Sequence, residues 1–348
     1  TVKENVYVIC KTPMAKSITK RTLVGFKNLN VNAHYFDDLI NMMKNKPKQF
    51  KDRVLKPSYW RKGGVKKMKF DAVVGNPPYM EMDGGAQASA SPIYQHFIKG
   101  AKELKPNYTS FIIPTRWYAG GKGLDDFRDE MLNDKNIKVL HDFLNPETIF
   151  PNTNIRGGVC YFLWDSSYDN KKDLTKVVTH EANEVAGEIY RPLKIEGSDI
   201  LIRDLRAINV LSKVCVDSKE NTIAHHMSPR KPFGIDGNFI KTDKFNETPT
   251  GLKTPIKCYG KAKIVGYIEK NCVKAHKEWI DVWKVCLPYA NNIGTELNDD
   301  NQNTFISEPN SVCTETFLVC GAELNLDEKS ATNLSVYLKT RFARLLHS

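Results

Sequence analysis

The string Asn76-Pro77-Pro78-Tyr79 follows an apolar run, Phe70-Asp71-Ala72-Val73-Val74-Gly75, that reads as a buried strand. Two adjacent prolines and a polar amide are a poor choice for ordinary packing at such a place. Neither proline donates a backbone N–H, each fixes φ near about −65°, and the residue before each is held extended. The result is a stiff loop that presents an amide side chain, a bare carbonyl and an aromatic ring at the C-terminal edge of a sheet. In open α/β sheets that edge is where ligands bind.

The elements that must position this loop are legible along the chain. Residues 5–10 read as a short strand, Pro13 to Phe26 as a helix with proline in its first turn, and Asn30 to Phe36 as a second strand ending at Asp37-Asp38. From Lys44 to Lys69 there are ten or more lysines and arginines with no sustained apolar period, which predicts an exposed loop or short helix. Phe70 to Val74 is the strand before the loop. Tyr94 to Leu104 is a helix, Thr109 to Ile113 a strand, Leu124 to Leu132 a helix and Ile137 to Phe143 a strand. Gly158 to Trp164 and Thr175 to Thr179 supply two more strands. This alternation predicts an α/β domain with a mainly parallel sheet. After about residue 180 short β-like runs, turns and aromatics take over, so a second domain is expected, with the chain divided into 1–185 and 186–348.

At 348 residues, 41% hydrophobic and 26% charged, the composition is that of a globular protein. No apolar run approaches the roughly 20 residues of a membrane span, and no signal peptide is visible. The eight cysteines are dispersed with no Cys-x-x-Cys pair, which argues against a metal cluster or a disulfide framework and for reduced thiols in the cytoplasm. A formal net charge of +11 suits a polyanionic partner.

The Asn76–Tyr79 string resembles the catalytic motif of amino-methyltransferases that act on a planar NH2 group. With the strand order and the tail, the chain is similar to the restriction-modification N6-adenine DNA methyltransferases over nearly its whole length. Asp83 to Tyr94 and Pro114 to Leu124 resemble loops of one branch of that family. Arg230 to Gly234, Glu278 to Asp281 and Glu308 to Ser311 resemble that branch's target-recognition region. The resemblance implies a Rossmann-like S-adenosylmethionine-dependent methyltransferase sheet followed by a mixed α+β target-recognition domain. It assigns Asn76, Pro77, Pro78 and Tyr79 to catalysis. The Asn76 side-chain oxygen and the Pro77 carbonyl would take the two N–H bonds of an adenine amine, drawing its nitrogen toward sp³ geometry. Tyr79, with Phe150 as a second aromatic, would stack on a base swung out of the duplex. Asp37, with Asp38 beside it and Asn76, falls at the cofactor-contacting positions. Arg116, Lys122, Arg230, Lys231 and the basic run Arg61 to Lys69 are candidate phosphate contacts. Double-stranded DNA is the implied partner, together with a cognate restriction nuclease, fused or separate.

The chain also departs from that family. The Gly-rich loop that follows the family's first strand is absent, and Cys10 stands where an acid should bind the cofactor's ribose. The first strand normally lies between the second and the fourth, so the sheet is expected to be N-terminally incomplete, with a gap in its ladder. The C-terminus stops inside what resembles a longer helix. Weak or no binding of S-adenosylmethionine follows as an expectation. Two other readings compete: an inactive DNA-binding remnant of such an enzyme, and a protein glutamine N5-methyltransferase, whose family shares the four-residue motif but lacks a large basic tail.

Overall fold

The structure, a computed structural model, describes residues 1–27, 29–81, 90–153, 155, 157–181, 184–195, 198–204, 208, 223–261, 264–289, 303–340 and 342–343. The chain divides into two compact units, Thr1–Arg203 and Asp204–Ser348.

The first unit begins with α1 (Val2–Asn5), β1 (Tyr7–Cys10), α2 (Pro13–Val24) and β2 (Asn32–Tyr35). Thr12 caps α2, its hydroxyl accepting from the Ala15 N–H at 3.1 Å, with Pro13 preset for the first turn. β1 and β2 pair in parallel as a two-stranded sheet, Cys10 opposite Tyr35. Of the exposed loop or short helix expected for the basic stretch that follows, the structure has short helices, but they are not simply exposed. The stretch folds into α3 (Leu39–Asn45), α4 (Pro47–Val54) and a 3-10 turn at Pro57–Trp60. Phe50, Val54, Leu55, Trp60 and Met68 from this stretch are buried together with Phe36, Leu39 and Met43. The lysines kept their heads in water while apolar residues interleaved among them built a core. No helical period was evident because two short helices break it at Pro47.

β3 (Ala72–Gly75) leads into the Asn76–Tyr79 loop. Then come β4 (Met80–Glu81), β5 (Ser91–Pro92), α5 (Tyr94–Glu103), β6 (Tyr108–Pro114), α6 (Asp125–Asn133) and β7 (Ile137–Phe143). They are followed by β8 (Val159–Asp165), α7 (Asn170–Asp173), β9 (Thr175–Glu181) and β10 (Glu184–Arg191). Six of these strands form one sheet in the order β10-β9-β7-β8-β6-β3. α5 and α6 cover one of its faces, where Tyr94, Ile98, Phe127 and Met131 pack on Phe111, Ile113, Leu140 and Phe162.

The sheet is mixed rather than mainly parallel. β3 and β6 are parallel, as are β7 and β9, but β8 is antiparallel to both β6 and β7, and β10 is antiparallel to β9. A parallel return needs a crossover, usually a helix. Among the described residues none forms an α-helix between β7 and β8, and β8 comes back beside β7 in the opposite sense.

Among the described residues no strand pairs with the outer edge of β3, and β1–β2 forms a separate two-stranded sheet. Val74 is 76% exposed although it sits in an apolar run, α2 buries no residue, and Phe26 just beyond it is 95% exposed. The first unit also extends past the expected division at 185/186. That point falls inside β10, whose pairing with β9 runs on to Arg191, and Leu201 still donates its N–H to the Tyr118 carbonyl at 3.0 Å.

The second unit holds two three-stranded sheets. One is β11 (Pro255–Tyr259), β12 (Val265–Glu269) and β15 (Ser311–Cys313); the other is β13 (Lys284–Pro288), β14 (Phe305–Ser307) and β16 (Phe317–Cys320). A helix, α8 (Glu328–Leu338), contacts β13 and β14. Phe233, Ile256, Ile268, Ile280 and Val312 fill its main core. No helix among the described residues is long and apolar enough to cross a membrane.

Lys284 is fully buried at the start of β13. Its ammonium donates to the Val282 carbonyl at 3.0 Å, the Ser311 hydroxyl at 3.3 Å and the Ile280 and Glu308 carbonyls at 3.4 Å. Burial nevertheless pulls its pKa down to about 8 from 10.5. The unfolded chain therefore holds this proton between those two values when the folded chain does not, so this lysine's own contribution to stability rises with pH across that window. In urea unfolding followed by tryptophan fluorescence, the stability of the parent relative to Lys284→Met should grow by roughly 2–3 kcal/mol between pH 8 and 10.5. Equal pH slopes in the two proteins would refute this.

Candidate active site

The position of Asn76 is set by the strand behind it. β3 pairs with β6 in parallel, with Val73 opposite Thr109 and Gly75 opposite Phe111. A Cβ at Gly75 would stand 2.8 Å from Phe111 Cε1, so only glycine lets the ring cover the strand end here. Beyond Gly75, Asn76 is exposed and Pro77 is buried. Among the described residues the Asn76 amide makes no side-chain hydrogen bond, and the Pro77 carbonyl accepts none from the backbone. The far end of the loop is tied down, the Ile93 N–H donating to the Tyr79 carbonyl at 3.2 Å before the short β4–β5 pair.

Tyr79 is half-buried, and its enclosed hydroxyl has no partner among the described residues. Burial, reinforced by the nearby Cys160 thiol, pushes its pKa up to about 12, so the ring is uncharged at any physiological pH. Phe150 is the other aromatic here. The Asn145 side chain caps a 3-10 turn at Pro146–Thr148 by accepting from the Glu147 N–H at 3.0 Å, and the Phe150 N–H bonds the Pro146 carbonyl at 2.8 Å. Its ring centroid lies 6.4 Å from that of Tyr79 with the planes 75° apart. An open pocket of about 570 Å³ adjoins this turn, lined by Asn145, Pro146, Glu147, Asn152, Thr153 and Ile155. The buried Cys160 thiol lies near Tyr79 with Trp117 and Tyr118 beside it, and burial pushes that thiol up to about 12.

The remaining sequence-derived residues are placed as follows. Asp37 and Asp38 are exposed just past the C-terminal end of β2. Asp38 accepts from Asn41 at 2.5 Å. Cys10 ends β1, buried, with its thiol 3.6 Å from the Thr19 hydroxyl. Arg116 is exposed on a 3-10 turn directly after β6, and Lys122 is exposed in the loop before α6. In the second unit Arg230 pairs with Glu315 at 3.2 Å and lies over the Tyr289 ring, while Lys231 pairs with Asp236. Both therefore meet acidic partners in the free chain. Lys62, in the basic run, lies over the Tyr7 ring. The Asp83–Tyr94 loop is outside the described residues over 82–89.

Sequence reasoning missed one ionic contact at this edge. Asp142, near the end of β7 and 2% exposed, receives two hydrogen bonds of 2.7 Å from Arg203, at the end of the first unit. The partners are 61 residues apart, so no local pattern signals them.

Residues 4–150 match a family model described as Eco57I restriction-modification methylase. A Mycoplasma pneumoniae protein named as an uncharacterized adenine-specific methylase is 36% identical over 107 residues, spanning 30% of this chain and only 25% of that relative's length. Among solved structures, the type IIL restriction-modification enzyme MmeI in complex with DNA aligns with 87% of this chain and 46% of its own, at 11% identity and a TM-score of 0.43. The type IIG restriction endonuclease BpuSI aligns with 99% of this chain and 53% of its own, at 11% identity and a TM-score of 0.36.

Gly75→Ala should force the Phe111 ring off the strand end and cost about 1–3 kcal/mol, as overpacking typically does. Thermal unfolding of the single variant and of Gly75→Ala with Phe111→Leu tests this, the smaller side chain recovering most of the loss. A single variant as stable as the parent would show that the ring gives way freely.

Proposed function

We propose that this chain is the adenine-holding and DNA-recognising part of a restriction-modification methylase, acting on adenine N6 in duplex DNA with S-adenosylmethionine as methyl donor. The observation that carries this reading is the Asn76–Tyr79 loop at the C-terminal end of β3, with the Phe150 ring beside Tyr79, inside the stretch that matches the Eco57I family.

In this reading the Asn76 side-chain oxygen and the Pro77 carbonyl, both without other partners among the described residues, accept the two N–H groups of the adenine amine. The nitrogen lone pair, otherwise delocalised into the ring, is then localised for attack. Reaching the amine requires the base to leave the helix, at a cost of a few kcal/mol. Stacking on an aromatic contributes about 1–3 kcal/mol in return. Tyr79 supplies that face as a neutral ring. Two rings that sandwich a base stand about 7 Å apart, twice the carbon contact distance, with parallel faces. At 6.4 Å and 75°, Phe150 closes edge-on against Tyr79 and must turn to admit a base.

The donor side fits less well. The end of β1 offers the buried thiol of Cys10 instead of a carboxylate, Thr12 is engaged in capping α2, and Asp38 is held by Asn41. Asp37 is left as the acidic contact, and no Phe-x-Gly-x-Gly string occurs in the given sequence. The residues of this chain do not make a complete site for S-adenosylmethionine. A calorimetric titration should therefore give no micromolar binding; a micromolar constant would overturn that statement.

That misfit specifically favours one second reading, a DNA-binding remnant without methyl transfer. Duplexes selected by the chain from a random pool, and plasmid carrying the selected site challenged by digestion after incubation with the chain and S-adenosylmethionine, separate the two. Protection supports the enzyme, and specific binding without protection supports the remnant. If transfer occurs, Asn76→Ala should lower it by about 10²–10³-fold, the scale for losing one transition-state hydrogen bond, while DNA affinity stays within about threefold. Equal losses in both would make Asn76 structural. A cognate restriction nuclease, fused or separate, and a cytoplasmic setting with reduced thiols belong to the same proposal.

A further inference from the structure

Phe150 sits on the segment between β7 and β8, and both ends of that segment are pinned. At the outgoing end, the Leu144 N–H bonds the His180 carbonyl at 3.2 Å and the Phe143 ring stacks on His180, 4.1 Å between centroids. At the returning end the chain passes Gly157 and Gly158, with φ of +89° and +102°. A Cβ at Gly158 would run into the Phe143 carbonyl and the Arg203 guanidinium. The Gly157 carbonyl is the fixed point: it accepts from the Thr115 hydroxyl at 2.5 Å and from Arg203 Nη1 at 2.6 Å.

We propose that Arg203 is a positioning residue for base capture, holding the return leg of the Phe150 segment so that its ring meets Tyr79. The proposal rests on the adenine-flipping reading of the same site. Arg203 is suited to the task by geometry. Its Nε and Nη2 form a fork on the Asp142 carboxylate at 2.7 Å each, which orients the guanidinium plane. The third edge, Nη1, then points along that plane to Gly157, and the Tyr118 ring backs the cation at 5.4 Å. Asp142 belongs to β7 and Thr115 directly follows β6, so the clamp is referred to the sheet that also fixes Asn76. A lysine has no fork and cannot serve both acceptors in fixed directions. A pair present only for stability would need Asp142 alone; the bond to Gly157 ties it to the segment bearing Phe150.

The test uses the full chain with a duplex it selects, carrying 2-aminopurine in place of each adenine in turn, whose fluorescence rises when the base is unstacked. Arg203→Met should reduce the rise at least fivefold at saturating protein, with DNA affinity within threefold of the parent, and Arg203→Lys should fall between. In a Phe150→Ala background Arg203→Met should have no further effect, because the arginine acts through that ring. The proposal is overturned if Arg203→Met leaves the signal intact, or lowers it by the same factor with and without Phe150. Hydrogen exchange needs no DNA: peptides spanning 145–157 should exchange at least tenfold faster in Arg203→Met, or in Arg203→Lys if the first variant does not fold, while β6 stays protected. Unchanged exchange in that segment also overturns the proposal. A parent chain that neither binds DNA nor brightens the probe defeats the functional reading alone, and the exchange result then decides whether Arg203 holds the segment.

Discussion

The parallel register of β3 against β6 is the constraint on which the candidate site depends. It sets Gly75 opposite Phe111, and the missing side chain at Gly75 lets that ring close over the strand end. From there two prolines leave the backbone almost no torsional choice, so the direction of Asn76 follows from the strand. On the proposed reading, the backbone that carries the acceptors is thus set before any ligand arrives, and less ordering entropy has to be met on binding. β3 is otherwise an insecure support, with its outer edge unpaired among the described residues and Val74 exposed.

The aromatic side of the site is built differently. Tyr79 is half-buried near Cys160 and tied at its carbonyl to Ile93, whereas Phe150 lies on a segment joined to the sheet at its ends. A rigid ring facing a tethered one suits a ligand that must enter from a stacked helix, since one wall can open while the other keeps the reference position. The ionic contact at Asp142 is nearly buried, and breaking such a pair is costly because it strands a charge. That cost keeps the tether in one arrangement.

The two units distribute positive charge in unlike ways. In the first, lysines and arginines between residues 44 and 69 surround a core of Phe50, Val54 and Trp60. In the second, Lys284 is enclosed among carbonyls, while Arg230 and Lys231 already meet acidic partners. A count of 51 lysines and arginines overstates the cations free to meet phosphates, because some are engaged within the fold. Any DNA contact by Arg230 or Lys231 must exchange an internal ion pair for a phosphate, a trade that is close to neutral in energy and sensitive to salt.

By itself the sequence determined the local chemistry and the order of elements. The stiff Asn76–Tyr79 loop, the strands at β6, β7 and β9, and the helices α2, α5 and α6 all follow from proline geometry and apolar periodicity, which act over a few residues. The tertiary structure decided what lies far apart in the chain. It turned β8 antiparallel, buried the apolar residues of the basic stretch, and carried the first unit through β10 to Arg203. It brought Phe150 to Tyr79 across 71 residues and Arg203 to Asp142 across 61. Such contacts leave no periodic mark, because burial and pairing at each of these positions are set by elements that arrive from elsewhere in the fold.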